Sequence, residues 1–538
     1  MSPKSDHLSR RGFLTAAGAT VVAATVGATA LDLRTVPAAS AATTFSYVDT
    51  SRSVYDKLVL MVNGKPFFHS GIQFRYEKHK YTNGWTDAQL KPVLKMIADD
   101  GFKVVNIPIW WSKVETSKDV FSWTDIDRYF DWCEEYGLKL ELLWFGHEST
   151  GITLAPRLPA YVLSDYQFVL KSDGTKLSLN GNNLLDKTDP NLLAREKYVL
   201  GKLMQHIASY DSQGTLVGVQ VLNEPNVANM QWGASSDRSY SSYSNSRWNS
   251  GGYSDAAKFR KDVLLDYVTQ LGSVVKQSNY SVYTRVNVVG DAKPVAENEA
   301  KRAAGTATID FFGNDPYTTN SDTIYNYGKD SFWAQGKNLP MIMENYGGDS
   351  TADILKFNAI AGNTVYNYYA ALDPDSSSGS SNYGLYDFDP STKAVTRKAV
   401  STRVASMNAM LNKIARDLAT KAPVEAGGSR LQTFNRKATA AVDLTKALDD
   451  LSVTYATSSG GQGLAVKRNS NTGVALLSTA AATFTVTGGF GTVTSVQSGY
   501  YDANDTWVNT GTKSYDASTG RVQVAVGAYE CVRVTYTG

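Results

Sequence analysis

Two periods of hydrophobic positions alternate along most of this chain. Lys57–Val62 and Lys65–His69 are short apolar runs on either side of Asn63-Gly64, a pair that tolerates the positive φ of a two-residue hairpin turn. After the hairpin, strand-like runs take turns with segments of helical spacing. Leu90, Val93, Leu94 and Ile97 fall at i, i+3, i+4 and i+7, with Thr86 and Gln89 as a capping box and Pro92 as an internal disturbance. Ile126, Tyr129, Phe130 and Cys133 repeat the spacing, and Gly137 ends that helix. Further helices are predicted over Leu193–Tyr210, Ala256–Gln277 and Ala399–Lys421. The strand runs are Phe67–Ile72, Phe102–Ile109, Leu138–Phe145, Leu216–Leu222, Tyr283–Val289, Asp310–Asp315, Leu339–Glu344 and Asn363–Tyr369.

Eight strands alternating with helices predict an α/β fold, the (β/α)8 TIM barrel, with an open doubly wound sheet as the alternative. Past Ala422-Pro423 the texture changes to Thr, Val, Ser and Gly in runs of period two, such as Ala482–Thr487 and Arg521–Val526. Residues 423–538 therefore read as an all-β sandwich, and residues 42–422 as the barrel with its N-terminal hairpin. Low-complexity loops are expected at 234–254 and 373–383.

Residues 1–41 have the pattern of an address. Ser9-Arg10-Arg11-Gly12-Phe13-Leu14 is a twin-arginine signature, an Ala/Gly/Val-rich run follows to Leu31, and Ala39-Ser40-Ala41 offers a cleavage site. The expectation is export by the twin-arginine route to the cell exterior. In all, 538 residues carry 53 Lys+Arg against 51 Asp+Glu, and removing this segment takes the net charge from +2 to zero. That balance speaks against nucleic acid or an anionic membrane as partner. With two cysteines, 133 and 531, no disulfide scaffold or Cys-rich metal site is available. His147-Glu148 lacks the second His of a zinc-protease helix, and no Ser has Gly at both −2 and +2, so neither a metal nor a nucleophile elbow is expected.

Side chains at the C-terminal strand ends of a parallel barrel converge on one mouth. Glu224 ends the fourth strand run in Asn223-Glu224-Pro225, and Glu344 ends the seventh. Carboxyls presented across that mouth at about 5 Å suit double displacement at an anomeric carbon, one as proton donor and one as nucleophile. Asn223 is placed for a sugar 2-hydroxyl. Trp110, Trp111, Trp144, Trp232, Tyr240, Tyr243 and Trp248, at or beyond strand ends, offer faces for sugar C–H groups.

With these residues in view, the chain resembles the clan A glycoside hydrolases, nearest to β-galactosidase families 42 and 35. The likeness runs through Gly71–Arg75, Asp100–Glu115, Phe121–Asp127 and Glu344-Asn-Tyr-Gly-Gly. It implies a cofactor-independent, retaining exo-β-glycosidase with Glu224 as acid/base and Glu344 as nucleophile. It further implies Tyr317 beside the nucleophile, and Glu148, Trp144 and Arg75 at the sugar. Gly146 stands where family 35 has an Asn, and Leu222-Asn-Glu-Pro225 where it has Glu-Asn-Glu-Tyr. An endo-acting polysaccharide hydrolase and a non-catalytic glycan-binding barrel are the alternatives.

Overall fold

The computed structural model describes residues 43–147, 157–179, 181–225, 237–289, 293–469 and 473–538. The twin-arginine segment lies outside the described residues. Eight parallel strands close into a ring: β1 Ser70–Gln73, β2 Val104–Ile109, β3 Lys139–Trp144, β4 Leu216–Val221, β5 Tyr283–Val288, β6 Phe311–Asn314, β7 Met341–Ile342 and β8 Val365–Tyr368. Seven lie inside their predicted runs, and β1 slides forward to end at Gln73. β8 pairs back onto β1, with Asn367 opposite Gly71. The sheet thus has no open edge, which removes the doubly wound alternative.

Alternation along each strand decides which residues reach the barrel interior. In β2, Val105, Ile107 and Ile109 join the core formed with the surrounding helices, where Leu90, Val93, Leu94 and Ile97 of the helix Asp87–Asp99 also sit. In β3, Leu140, Leu142 and Trp144 take the same outward side, so Glu141 faces inward. The capping box forms, with Gln89 Oε1 accepting from the Thr86 N–H at 2.9 Å. Gly137 ends the helix Thr124–Tyr136 at φ +68°, a left-handed conformation that glycine adopts without cost.

The hairpin is present as Val59–Val62 and Lys65–Pro66, and Ser46–Asp49 adds a third strand to it. Its Leu58, Leu60 and Val62 pack with Val104, Val217, Phe311 and Met341 at the N-terminal end of the barrel. That end is plugged. The other end is left for chemistry.

Two elements differ from expectation. The closing helix divides into Ala399–Asn412 and Ala415–Thr420. Between them the Lys413 carbonyl accepts from the Tyr501 N–H of the C-terminal sheets at 2.9 Å instead of continuing the helix. The stretch 234–254 is not simply a loop, because Ser242–Ser250 is helical and Ser241 Oγ accepts from the Ser244 N–H at 3.1 Å. Low-complexity Ser-rich sequence hides a serine-capped helix well.

From Leu431 onward a six-stranded and a five-stranded antiparallel sheet face each other. Strand Leu451–Thr457 alternates buried and half-buried positions throughout, and Phe434, Tyr455 and Phe484 fill the space between the sheets. Phe357, Met407 and Leu411 of the barrel helices meet Leu464, Val466 and Leu477 of the sheets in a shared apolar cluster. No helix among the described residues is long and apolar enough to cross a membrane.

Candidate active site

Glu224 stands three residues beyond β4, and Glu344 two beyond β7. One carboxylate oxygen from each of Glu224, Asp315 and Glu344 lies within 4.8 Å of the others. All three side chains are buried, at 8%, 3% and 5% exposure. Glu344 is held from both sides. Gln73, ending β1, donates Nε2–H to Oε1 at 3.0 Å, and the Tyr317 hydroxyl donates to Oε2 at 2.5 Å. Two donors on two oxygens favour the carboxylate anion.

Glu224 is fixed through its backbone. Its N–H donates to Asn287 Oδ1 of β5 at 2.9 Å, and its φ is +44°. Leu222 and Tyr317 also have positive φ, +62° and +41°. Each such non-glycine residue costs free energy that the surrounding fold must offset. Asn287 Nδ2 lies 3.0 Å from Asn223 Oδ1 and 2.7 Å from Asp315 Oδ2. One carboxamide therefore ties together the strand ends of β4 and β6. Asn223 thus presents its carbonyl to Asn287.

Burial and the neighbouring Glu224 charge push the Glu344 carboxyl up to about 7, against the pull of Tyr317, Arg75 and Gln73. Burial, then Glu344, then Glu224 push Asp315 well above the usual carboxylate range. Burial and the Glu344 charge raise the Tyr317 phenol well above its ordinary value, so it remains a donor. Among the described residues these three carboxyls are the one group whose oxygens converge closely enough for a cation.

Deeper in the barrel a second polar layer is self-contained. Glu141 pairs with Arg285, accepts from Tyr283 Oη at 3.1 Å and lies 3.5 Å from His69 Nε2. Burial alone would raise Glu141, but Arg285 and His69 hold it down at about 2. This buried anion is matched by its cation.

The other predicted residues divide. Arg75 reaches the mouth: Nη1 donates to Tyr369 Oη at 3.1 Å, Nε donates to Glu77 at 2.8 Å, and the guanidinium lies 5.4 Å from the centroid of Phe145. Trp110 turns to the inner side with Leu143 and Phe145, 1% exposed. Trp144 is not a sugar contact. It is fully buried on the helix side of β3, donating Nε1–H to Glu196 at 2.9 Å, with Trp111 at 6.0 Å. The period-two alternation that turns Glu141 inward turns Trp144 outward. Glu148 and Trp232 lie outside the described residues. Trp248 packs on Tyr253 and Phe259, Tyr240 lies beneath Arg238, and Tyr243 accepts from Asn191.

Glu196 also explains Gly146. A Cβ there would come within 1.8 Å of Glu196 Oε1, and φ is +55°. Glu196 accepts from Trp144 and Tyr267 and pairs with His147. No room is left for an Asn.

Sequence reasoning missed Gln73, Asn287, Asp315 and a cluster of tyrosines. Tyr317, Tyr346, Tyr369 and Tyr383 pack edge to face, centroids 5.1–5.8 Å apart, on the β6–β8 side of the mouth. Tyr383 comes from the loop at 373–383. Signals existed: Asn314-Asp-Pro-Tyr317 at the end of β6 parallels Asn223-Glu-Pro after β4, and Asn287 continues the inward side of β5 begun by Tyr283 and Arg285.

No family model matches the chain, and no curated protein matches it. Among solved structures, it is similar to the β-galactosidase of the psychrophilic Marinomonas ef1 at 11% identity and TM-score 0.47, over 65% of this chain and 60% of that one. It thus spans about 60% of the length of that enzyme. It is also similar to the β-galactosidase of Bacillus circulans sp. alkalophilus, at 13% identity and TM-score 0.45, over 88% and 99%. A glycoside hydrolase family 30 subfamily 8 xylanase of Clostridium acetobutylicum aligns at 13% identity and TM-score 0.43, over 87% and 95%.

Proposed function

We propose that this protein is a retaining β-glycosidase, working through a covalent glycosyl-enzyme. The observation that carries the reading is the pairing of Glu224 with Glu344 inside 4.8 Å at the C-terminal mouth of the barrel. A separation near 5 Å admits direct attack by one carboxylate while the other serves the leaving group, whereas inverting enzymes leave room for a water between them.

The two roles follow from the partners. Glu344, clasped by Tyr317 and Gln73, is the nucleophile: its carboxylate attacks the anomeric carbon as the glycosidic C–O bond breaks. Glu224 gives its proton to the departing oxygen. In the second half, Glu224 takes a proton from water, the water oxygen bonds to the anomeric carbon, and Glu344 leaves. Net configuration is retained. Asn223 and Arg75 are assigned to hydroxyls of the sugar, and the four tyrosines to its C–H faces.

The exo-acting, β-galactosidase-like mode is the working assignment for substrate, and the N-terminal segment is read as a twin-arginine export signal. The test is a panel of aryl β-glycosides, with β-linked polysaccharides alongside, and the first-formed anomer read by NMR. Release of the β anomer from a monosaccharide glycoside supports the reading. Release of the α anomer overturns the mechanism, and turnover confined to polysaccharides overturns the exo mode.

A further inference from the structure

Asp315 brings a third carboxyl to the same site, and among the described residues no cation pairs with it directly. It is 3% exposed. Oδ2 accepts from Asn287 Nδ2 at 2.7 Å, while the buried Oδ1 has no hydrogen-bond donor in reach among the described residues. Arg285, the cation that acts on it, is already paired with Glu141. Tyr317 and Tyr327 act on it as neutral phenols. The carboxyls that raise it among the described residues are those of Glu344 and Glu224. An anion there would lie within 4.8 Å of the Glu344 carboxylate and of Glu224, which itself becomes an anion once it has delivered its proton.

We infer that Asp315 is held as the neutral acid and donates a hydrogen bond to Glu224, acting as a positioning residue for the acid/base. The role, though not the protonation, rests on the glycosidase reading above. Burial and the two neighbouring charges, which raise Asp315 far above an ordinary aspartate, agree with it. The consequence is specific to the two-step cycle. When Glu224 has delivered its proton to the leaving group, the Asp315 O–H remains to hydrogen-bond the new carboxylate. Glu224 is then kept in place as the base that takes the proton of the incoming water. The Asp315 proton is never transferred, so the cycle balances as written. Asn287 sets the geometry from the other side, since its Nδ2–H occupies Oδ2 and leaves Oδ1 to carry the proton.

Infrared difference spectroscopy on the full chain carrying 13C-labelled aspartate reads the protonation without any turnover. A carboxylic-acid C=O band that shifts with the aspartate label, persists from about pH 5 to 8 and disappears in Asp315→Asn is expected. Its frequency should move in Glu224→Gln, where the acceptor has changed. Absence of an Asp315 band at neutral pH overturns the inference, and does so even if the protein is an active glycosidase. Conversely, a clear band in a protein inactive on every glycoside would sink the functional reading while leaving the neutral acid standing.

Kinetics supply the second arm. Asn is a neutral isostere that can still donate to Glu224 and accept from Asn287, so Asp315→Asn should leave both limbs of the pH–rate profile within about 0.3 unit. Asp315→Ala, which loses both contacts, should lower kcat by about tenfold or more, with KM little changed. A downward shift of either limb by more than about one unit in Asp315→Asn would mean that a charge had been removed, and overturns the inference. Loss of activity on chelation, restored by a divalent cation, would put a metal where the proton is assigned and overturn it equally.

Discussion

The hydroxyl of Tyr317, just beyond β6, donates to Oε2 of Glu344, just beyond β7, over 2.5 Å. Tyr317 holds this position with φ at +41°, and burial keeps its phenol protonated. The bond orients one lone pair of the proposed nucleophile and stabilises its anion. Tyr317→Phe should therefore reduce kcat by about 10–100-fold, equivalent to roughly 1.4–2.7 kcal/mol. The acid limb of the profile should also move to higher pH, because a donor that lowers the Glu344 pKa has gone. Pre-steady-state release of an aryl leaving group checks both. An unchanged acid limb would show that the hydroxyl does not act on Glu344.

The raised Glu344 carboxyl links activity to stability with opposite signs. In the proposed mechanism attack needs the anion, so kcat/KM should fall as pH drops through about 7. Folding prefers the acid: with an unfolded value of 4.5 and a folded value of about 7, the native state binds more protons in between. Stability is then fully present below 4.5 and declines as pH rises to about 7, by roughly 3 kcal/mol from this group. Glu344→Gln should be inactive and, at pH 8, more resistant to urea than the parent protein. Equal urea midpoints at pH 8 would contradict the buried-charge account.

Lys356 carries a pH effect far from the mouth. Its Nζ is buried, donates to Ser70 Oγ at 2.7 Å and to Asn408 Oδ1, and meets no carboxylate among these contacts. Burial lowers its pKa from 10.5 to about 7. Here the unfolded chain binds the extra proton between those values, so this residue makes stability rise with pH from about 7 upward, while below 7 the cost of burying the charge is fully felt. Lys356→Met should flatten that slope and raise the urea midpoint near pH 6.5. A steeper slope in the variant would be the opposite result.

Both cysteines are free and fully buried, Cys133 in the barrel core and Cys531 where the sheets meet the barrel helices. Burial raises both thiols, that of Cys531 to about 12. Native protein should titrate no thiol with a disulfide reagent at pH 8, and denatured protein two. A native titre of one or more would show that a core is open.

The barrel was legible because period-two runs of six to eight residues between amphipathic helices admit few other arrangements. Glu224 and Glu344 were legible for a related reason: parallel strand ends converge, so two strand-terminal carboxylates on the fourth and seventh strands must share the mouth. Trp144 was misread because strand-end position was weighed and side was not. Glu141, three residues earlier, demanded the interior and its partner Arg285, and alternation then sends Trp144 outward. Asn287 and Asp315 act only through groups brought from other strands, so their local signals do not by themselves say what they touch. The tyrosine cluster is assembled from three separate loops, where residue type is visible and convergence is not.

Azide rescue of paired variants tests the assignment of Glu224 and Glu344 most directly. With an activated aryl β-glycoside, Glu224→Ala should regain turnover in azide and yield the β-glycosyl azide, since the nucleophile still forms the glycosyl-enzyme. Glu344→Ala should yield at most the α-glycosyl azide, by direct displacement in the space the carboxylate vacates. The reverse pairing of variants and anomers, or full activity in either variant without azide, would contradict the account.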